Sequence, residues 1–251
     1  MKLGISPNLQ TGMFATFLKS KINCEIVFMP VSKLSEAVRN RELDLALIPP
    51  LDLHNGGDFC VSGNLGIVSD GAFSNNFLYF KPGEQTVPKI TLKGDLSFHD
   101  ITLLRIVFRE LYGIDPETEQ YEGDIGKVNN LLVAGDDNYL TGRFELGMNI
   151  VEEAVECLNF PLISYILVSS VEETLEAVHR KVRELNDSLY EFGSDYISTT
   201  GVSERTLEYL SENLHHLSFE LNDEIIEALK SLISTPYYFN LTEDIPEFTL
   251  V

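Results

Sequence analysis

The chain has 251 residues, enough for one large or two modest domains with a sizeable core. Eighteen Lys and Arg against thirty-nine Asp and Glu give a net charge of −21, which disfavours nucleic-acid phosphates and anionic membranes as partners and leaves any anionic ligand to a local site. Cys24, Cys60 and Cys157 stand far apart with no CxxC pair, which argues against a disulfide framework or zinc site and for reduced thiols in a cytoplasmic protein. Met1–Ser6 has no apolar core of a leader, so no secretory signal is expected, and no apolar run reaches bilayer length.

The first eighty residues read as β-α-β-α-β. Lys2–Ser6 is a short strand, and Gly12–Lys19 carries Met13, Phe14, Phe17 and Leu18 at helical spacing. Cys24–Met29 is a strand closed by Pro30. Ser32 is the expected N-cap of a helix through Arg41, with Leu34, Ala37 and Val38 inward. Leu43–Ile48 is apolar and ends at Pro49-Pro50, as a buried parallel strand does. Such alternation implies a parallel sheet with ligands at the carboxyl ends of its strands.

Leu65–Val68 and Asn76–Phe80 predict two strands around a polar, glycine-containing bend. Lys81-Pro82-Gly83 breaks the pattern and marks a first crossing to another lobe. Ile90–Leu92 is a weak strand. His99–Leu111 is a helix, Leu131–Ala134 a strand entering Gly135-Asp136, and Ile150–Leu158 an amphipathic helix. Leu162–Val168 is an apolar strand, and Ser169-Ser170 marks the return. Helices are expected over Val171–Leu185, Glu191–Thr199, Ser203–Asn213 and Asp223–Ser234, and an irregular tail follows Pro236. This gives a discontinuous first lobe, 1–82 plus 170–251, and a second lobe, 83–169. Two crossings make a hinge, and a ligand is expected in the cleft between lobes.

Four stretches carry a family resemblance. Ser6-Pro7-Asn8-Leu9-Gln10-Thr11-Gly12 opens the first helix. Arg41-Glu42-Leu43-Asp44-Leu45-Ala46-Leu47-Ile48 forms the third strand. Gly66-Ile67-Val68-Ser69-Asp70-Gly71 leads to Ser74-Asn75-Asn76. Leu131–Leu140 is followed by Glu145-Leu146-Gly147 and Phe160-Pro161-Leu162. In order and spacing these resemble the menaquinone-biosynthesis proteins of the futalosine route, most closely the chorismate dehydratase branch. Dihydroxynaphthoate synthase is the second branch, favoured by Ser6-Pro7 and disfavoured by the Gly66–Leu78 segment. Gln10 stands where the dehydratase branch has asparagine, and Asn75 where it has serine. The resemblance implies an α/β, two-lobed fold of the type 2 periplasmic-binding-protein kind.

It also implies a hydro-lyase that removes water from chorismate to give an enolpyruvyl-benzoate, driven by aromatisation, with no metal or organic cofactor. A dianion must be held, a proton accepted and hydroxide helped to leave. His99, Asn75 and Gln10 are the candidate catalytic residues. Asn8, Thr11, Ser69, Ser74, Asn76, Ser97, Thr102 and Asp136 are the candidate substrate contacts. Ser97, His99 and Thr102 stand at a helix start, which favours anions. An amide cannot serve as a base, so Asn75 would donate or accept hydrogen bonds only. Plain structural roles are open as well: Gln10 tying its loop to the helix, Ser69 and Asn76 satisfying a turn, His99-Asp100 starting a helix, and Gly135-Asp136 ending a strand. The partner expected is a small carboxylate, bound by a monomer or homodimer. The departures at positions 10 and 75 also motivate a second reading, a non-catalytic carboxylate-binding protein of the same fold.

Overall fold

The structure is a computed structural model that describes residues 1–71, 73–81, 83, 86–123, 130–182 and 189–251. Two mixed sheets organise it. The first has strand order β11-β4-β10-β3-β1-β2, with β12 beside β4. Its members are β1 (Lys2–Ile5), β2 (Glu25–Phe28), β3 (Leu45–Ile48), β4 (Cys60–Ser69), β10 (Leu162–Ser169), β11 (Leu217–Glu220) and β12 (Thr249–Leu250). The second has order β7-β6-β8-β5-β9, made of β5 (Asn76–Tyr79), β6 (Lys89–Lys93), β7 (Glu117–Gln120), β8 (Leu131–Ala134) and β9 (Met148–Asn149). Strands β2, β1 and β3 run parallel, as do β7, β6 and β8, and β10 turns antiparallel to β3 and β4.

Strand membership corrects the expected lobe boundaries. β5 belongs to the second sheet and β10 to the first, so the chain crosses between Ser69 and Asn76 and returns between Leu158 and Leu162. Lys81 and Gly83 of the expected breaker stand between β5 and β6, both strands of the second sheet, and Pro82 lies outside the described residues. The apolar character of both strands hid this, because a buried strand reads alike in either sheet. The two crossings lie side by side, since Leu162 pairs with Ser69.

The helices follow their caps. α1 (Leu9–Lys21) starts three residues before the expected Gly12 because the Asn8 side chain accepts from the Thr11 amide. α2 (Val31–Arg39) starts at Val31 rather than after Ser32, with Pro30 in the cap position and no side-chain cap bond. α3 (Phe98–Tyr112) opens on a capping box of Ser97 and Asp100, and ends on Gly113 at φ 66°. α4 (Asp137–Leu140) and α5 (Ile150–Leu158) complete the second lobe. α6 (Glu172–Lys181), α7 (Leu189–Ser198), α8 (Glu204–Asn213) and α9 (Asp223–Tyr238) return to the first; the 183–185 end of the expected sixth helix lies outside the described residues. α9 runs past Ser234 with Pro236 inside its last turn, and the tail beyond adds β12 to β4. Two apolar clusters fill the interior. One joins α2, α3, α5 and α9 to the sheets; the other packs α1, α6, α7 and α8 against their opposite faces.

Candidate functional site

The carboxyl ends of the parallel strands in both sheets meet at one seam, where Ser6, Asn8 and Asp52 are buried, Asp136 is half-buried and Asp95 is exposed. β1 delivers Ser6 and Asn8, β3 delivers Asp52 in the 3-10 turn Pro50–Asn55, β6 delivers Asp95, and β8 delivers Asp136. Each contact between them is a hydrogen bond across the lobes. The Ser6 hydroxyl donates to Asp95 Oδ2 at 2.6 Å, and the Val31 amide donates to the same carboxylate at 2.9 Å. The Leu9 amide donates to Asp136 Oδ1 at 2.9 Å. In the reverse direction, the His99 amide donates to Asp52 Oδ1 at 3.1 Å. Thus the first turns of α1, α2 and α3 each meet a carboxylate from the facing lobe, where helix dipoles favour negative charge.

Of the residues singled out in the sequence, most come to this seam. Asn8 donates from Nδ2 to the Tyr165 hydroxyl at 2.9 Å. Gln10 donates from Nε2 to the Phe73 carbonyl at 3.0 Å and so ties α1 to the bend. Asn76 donates to Asp100 Oδ1 at 2.6 Å, and Asp100 in turn accepts from the Ser97 amide at 2.7 Å. Thr102 is buried one turn after His99 on α3. Other candidates serve the loops around them. The Thr11 hydroxyl donates to the Ser6 carbonyl, the Ser69 hydroxyl donates to the Phe73 carbonyl at 3.1 Å, and Ser74 Oγ accepts from the Asn76 amide at 2.9 Å. Ala72, within the same bend, lies outside the described residues.

Asn75 and His99 differ from these. Asn75 is 7% exposed and His99 4% exposed. Neither the Nδ2 nor the Oδ1 of Asn75, nor the Nδ1 of His99, meets a hydrogen-bond partner among the described residues. A buried polar atom left without a partner costs about 1–3 kcal/mol, so the two of Asn75 in the crossing and the one of His99 at the start of α3 are a cost that calls for an explanation. The backbone holds Asn75 firmly, because its carbonyl accepts from the Gly135 amide at 2.9 Å and from Asn138 Nδ2 at 3.0 Å. Gly135 permits that approach at φ 105°.

The electrostatics concentrate on Asp52. Burial, then the charge of Asp100, pushes its carboxyl up to about 7, against the opposing bonds from the His99 amide and the Ser97 side chain. Burial also raises Asp136, helped by Asp137 and opposed by the Leu9 amide. Burial lowers His99 and keeps its imidazole neutral, while Asp100 pulls the other way. The Tyr165 hydroxyl is raised, first by burial and then by Asp100. Neither Lys nor Arg is among the described residues joined by these bonds. Beside the seam a hollow of about 230 Å³ is lined by Pro7, Asn8, Gly12, Phe28, Asp136 and Tyr196. A Cβ at Gly12 would stand 2.2 Å from the Tyr196 hydroxyl oxygen, so a larger residue there would have to displace the Tyr196 ring.

Asp52, Asp95, Asp100 and Tyr165 escaped the sequence reading as site residues. Asp52 and Asp95 each follow a strand end, Pro49-Pro50-Leu51-Asp52 and Gly94-Asp95, which is the position the strand-end rule points to. Tyr165 sits inside an apolar strand and gives no signal.

The sequence matches the menaquinone biosynthesis family over residues 1–235. The chain belongs to that family. Its fold is that of two-lobed periplasmic binding proteins. Protein AF1704 from Archaeoglobus fulgidus superposes with a TM-score of 0.67 at 15% identity, over 96% of this chain and 98% of that one. The alkanesulfonate-binding protein SsuA from Xanthomonas axonopodis pv. citri, bound to MOPS, gives 0.66 at 12% identity, over 100% and 98%. The Candida albicans CA3427 gene product, described as having the generic periplasmic binding protein fold, gives 0.60 at 11% identity, over 98% and 92%. No curated protein sequence matches the chain. Among the described residues no helix is long and apolar enough to cross a membrane, and no group of three or more His, Cys, Asp or Glu is placed to hold a metal ion.

Proposed function

We propose that this family member is a chorismate dehydratase-like hydro-lyase whose ligand sits at the seam between the lobes. The observation that carries the reading is the set of buried, unpartnered atoms of Asn75, in a crossing held by its backbone bonds, and of His99, in the first turn of α3. A ring that bears a hydroxyl and a carboxylate supplies both the donor and the acceptor that Asn75 lacks.

In this reading neutral His99 takes the proton from the ring carbon. The adjacent carbon–oxygen bond breaks with its electron pair on oxygen, and the hydroxide leaves as water with a proton from Asp52. A carbon–carbon double bond forms and the ring becomes aromatic. Asp52, pushed up to about 7, holds a proton part of the time near neutrality, which suits a general acid. Gln10 is a positioning residue here, because its amide nitrogen is already given to the Phe73 carbonyl. The biosynthetic family accords with the cytoplasmic location expected from the sequence.

The test is purified protein with excess chorismate, followed by chromatography and mass spectrometry. Formation of a product lighter by one water supports the reading, and unchanged chorismate with folded protein rejects it. A second reading, carboxylate binding without turnover, is favoured by the same commitment of Gln10. It predicts that chorismate raises the melting temperature while no product forms.

A further inference from the structure

Three of the bonds across the seam share one form. A carboxylate of one lobe accepts the amide of a helix's first turn in the other. Asp136 takes Leu9 of α1, Asp95 takes Val31 of α2, and Asp52 takes His99 of α3, an amide it shares with the Ser97 hydroxyl at 3.1 Å. Two carboxylates reach from the second lobe to the first, and one reaches back. Asp95 adds a second grip through the Ser6 hydroxyl. These carboxylates also sense one another: Asp95 and Asp100 act on Asp52, and Asp95, Asp100 and Asp136 act on Tyr165. Closing the lobes therefore brings like charges together, and the three helix starts are what offset that repulsion.

We propose that Asp52, Asp95 and Asp136 form a three-point latch that holds the lobes closed without a ligand, its three bonds opening together when the lobes part. The latch rests on the functional reading only in its consequence, that a ligand has to part the seam and then offer its own carboxylate to a helix start. A bound carboxylate cannot share a helix start with an aspartate, so the latch lowers apparent affinity by the fraction of molecules it keeps closed.

The experiment is amide hydrogen exchange by NMR on the full chain with no ligand, which separates this proposal from the question of substrate. In the parent protein the amides of Leu9 and Val31 are expected to exchange at rates set by one common opening, while the His99 amide keeps its bond to the Ser97 hydroxyl when the lobes part. In Asp95→Ala both should exchange at least about tenfold faster, while the amides of β10, which lies between β3 and β4, keep their parent rates and report an intact first lobe. Asp136→Asn, which keeps the side-chain shape, should likewise speed Val31, which it does not touch. Acceleration at Val31 alone in Asp95→Ala, and at Leu9 alone in Asp136→Asn, would overturn the latch and leave three separate helix caps.

Discussion

Two of the places where the lobes meet are built from opposite materials. At the front seam the contacts are carboxylates, amides and helix starts. Behind it, α8 of the first lobe meets the second through rings: Tyr209 has its centroid 4.4 Å from that of Phe144 and 6.5 Å from that of Tyr139. There the Thr206 hydroxyl donates to the Tyr139 carbonyl at 3.2 Å, and Arg205 pairs with Glu145 at 2.5 Å. Ring packing is insensitive to small rotations and excludes water, whereas bonds at a helix start are directional and can be traded for a ligand's. The rear joint therefore supplies stability, and the seam supplies a binding surface at a cost in stability.

Substitutions at each place should separate the two roles. The largest effect is on turnover. His99→Gln, which removes the proposed base, should lower the rate of chorismate dehydration by about 10²–10⁴-fold, read in a steady-state assay, with little change in melting temperature. Next, Phe144→Ala at the rear joint should cost about 3–5 kcal/mol in urea unfolding, because a side chain only 5% exposed leaves a cavity among rings. A loss as small at Phe144 as at an exposed surface position would erase the contrast.

Asp52→Asn tests the electrostatic cost of the seam. In the fold Asp52 keeps its proton until about pH 7, whereas its ordinary value is 3.8. The folded state binds more protons between these values, so stability falls as pH rises from about 4 to about 7 and stays low above that. Asparagine removes the penalty. The variant should be more stable at pH 8, by at most about 4 kcal/mol, and the gain should vanish near pH 4. His99, held below its ordinary 6.5, has the opposite slope, since its contribution is lost as pH falls below that value. A comparison at pH 8 therefore isolates Asp52. A variant less stable at pH 8 would mean that Asp52 stabilises the fold as an anion.

The smallest effect concerns Asn75. Asn75→Leu replaces two unmet polar atoms with apolar ones of similar size, so it should stabilise the protein by about 1–2 kcal/mol while removing any melting shift caused by chorismate. A stability loss would indicate that the amide is satisfied in solution.

Much of this was legible in the sequence, and the missing part has physical causes. β8 and α5 fall where the apolar spacing put them, because each is bounded by its own turn chemistry: Gly135 after one, and Asn149 and Asn159 around the other. The fold class followed from alternating strands and helices. The lobe boundaries did not, because β5 and β10 are as apolar as strands of either sheet, and pairing alone decides their membership. β4 runs from Cys60 rather than Leu65 because β10, β11 and β12 all hydrogen-bond to it, which overrides the polar Ser62 and Asn64. Within the site, His99 and Asn75 were readable from loop position. Asp52 and Asp95 were not, since a lone aspartate after a strand reads as a turn until a helix from another lobe is seen to meet it. The start of α2 shows the same limit. Its first amide is capped by Asp95, sixty-four residues away, which no local signal at Ser32 reveals.

The central claim is that ligand binds at the seam and not behind it, where a groove of about 770 Å³ is lined by Phe144, Glu145, Glu152, Arg205, Glu208 and Tyr209. A crystal structure grown with the dehydrated enolpyruvyl-benzoate tests this most directly. The account predicts the molecule between Asn75 and His99, with a carboxylate at the amide of Leu9 or Val31 and the corresponding aspartate displaced. Density for the molecule only in the rear groove, with Asp95 and Asp136 still on their helix starts, would contradict it.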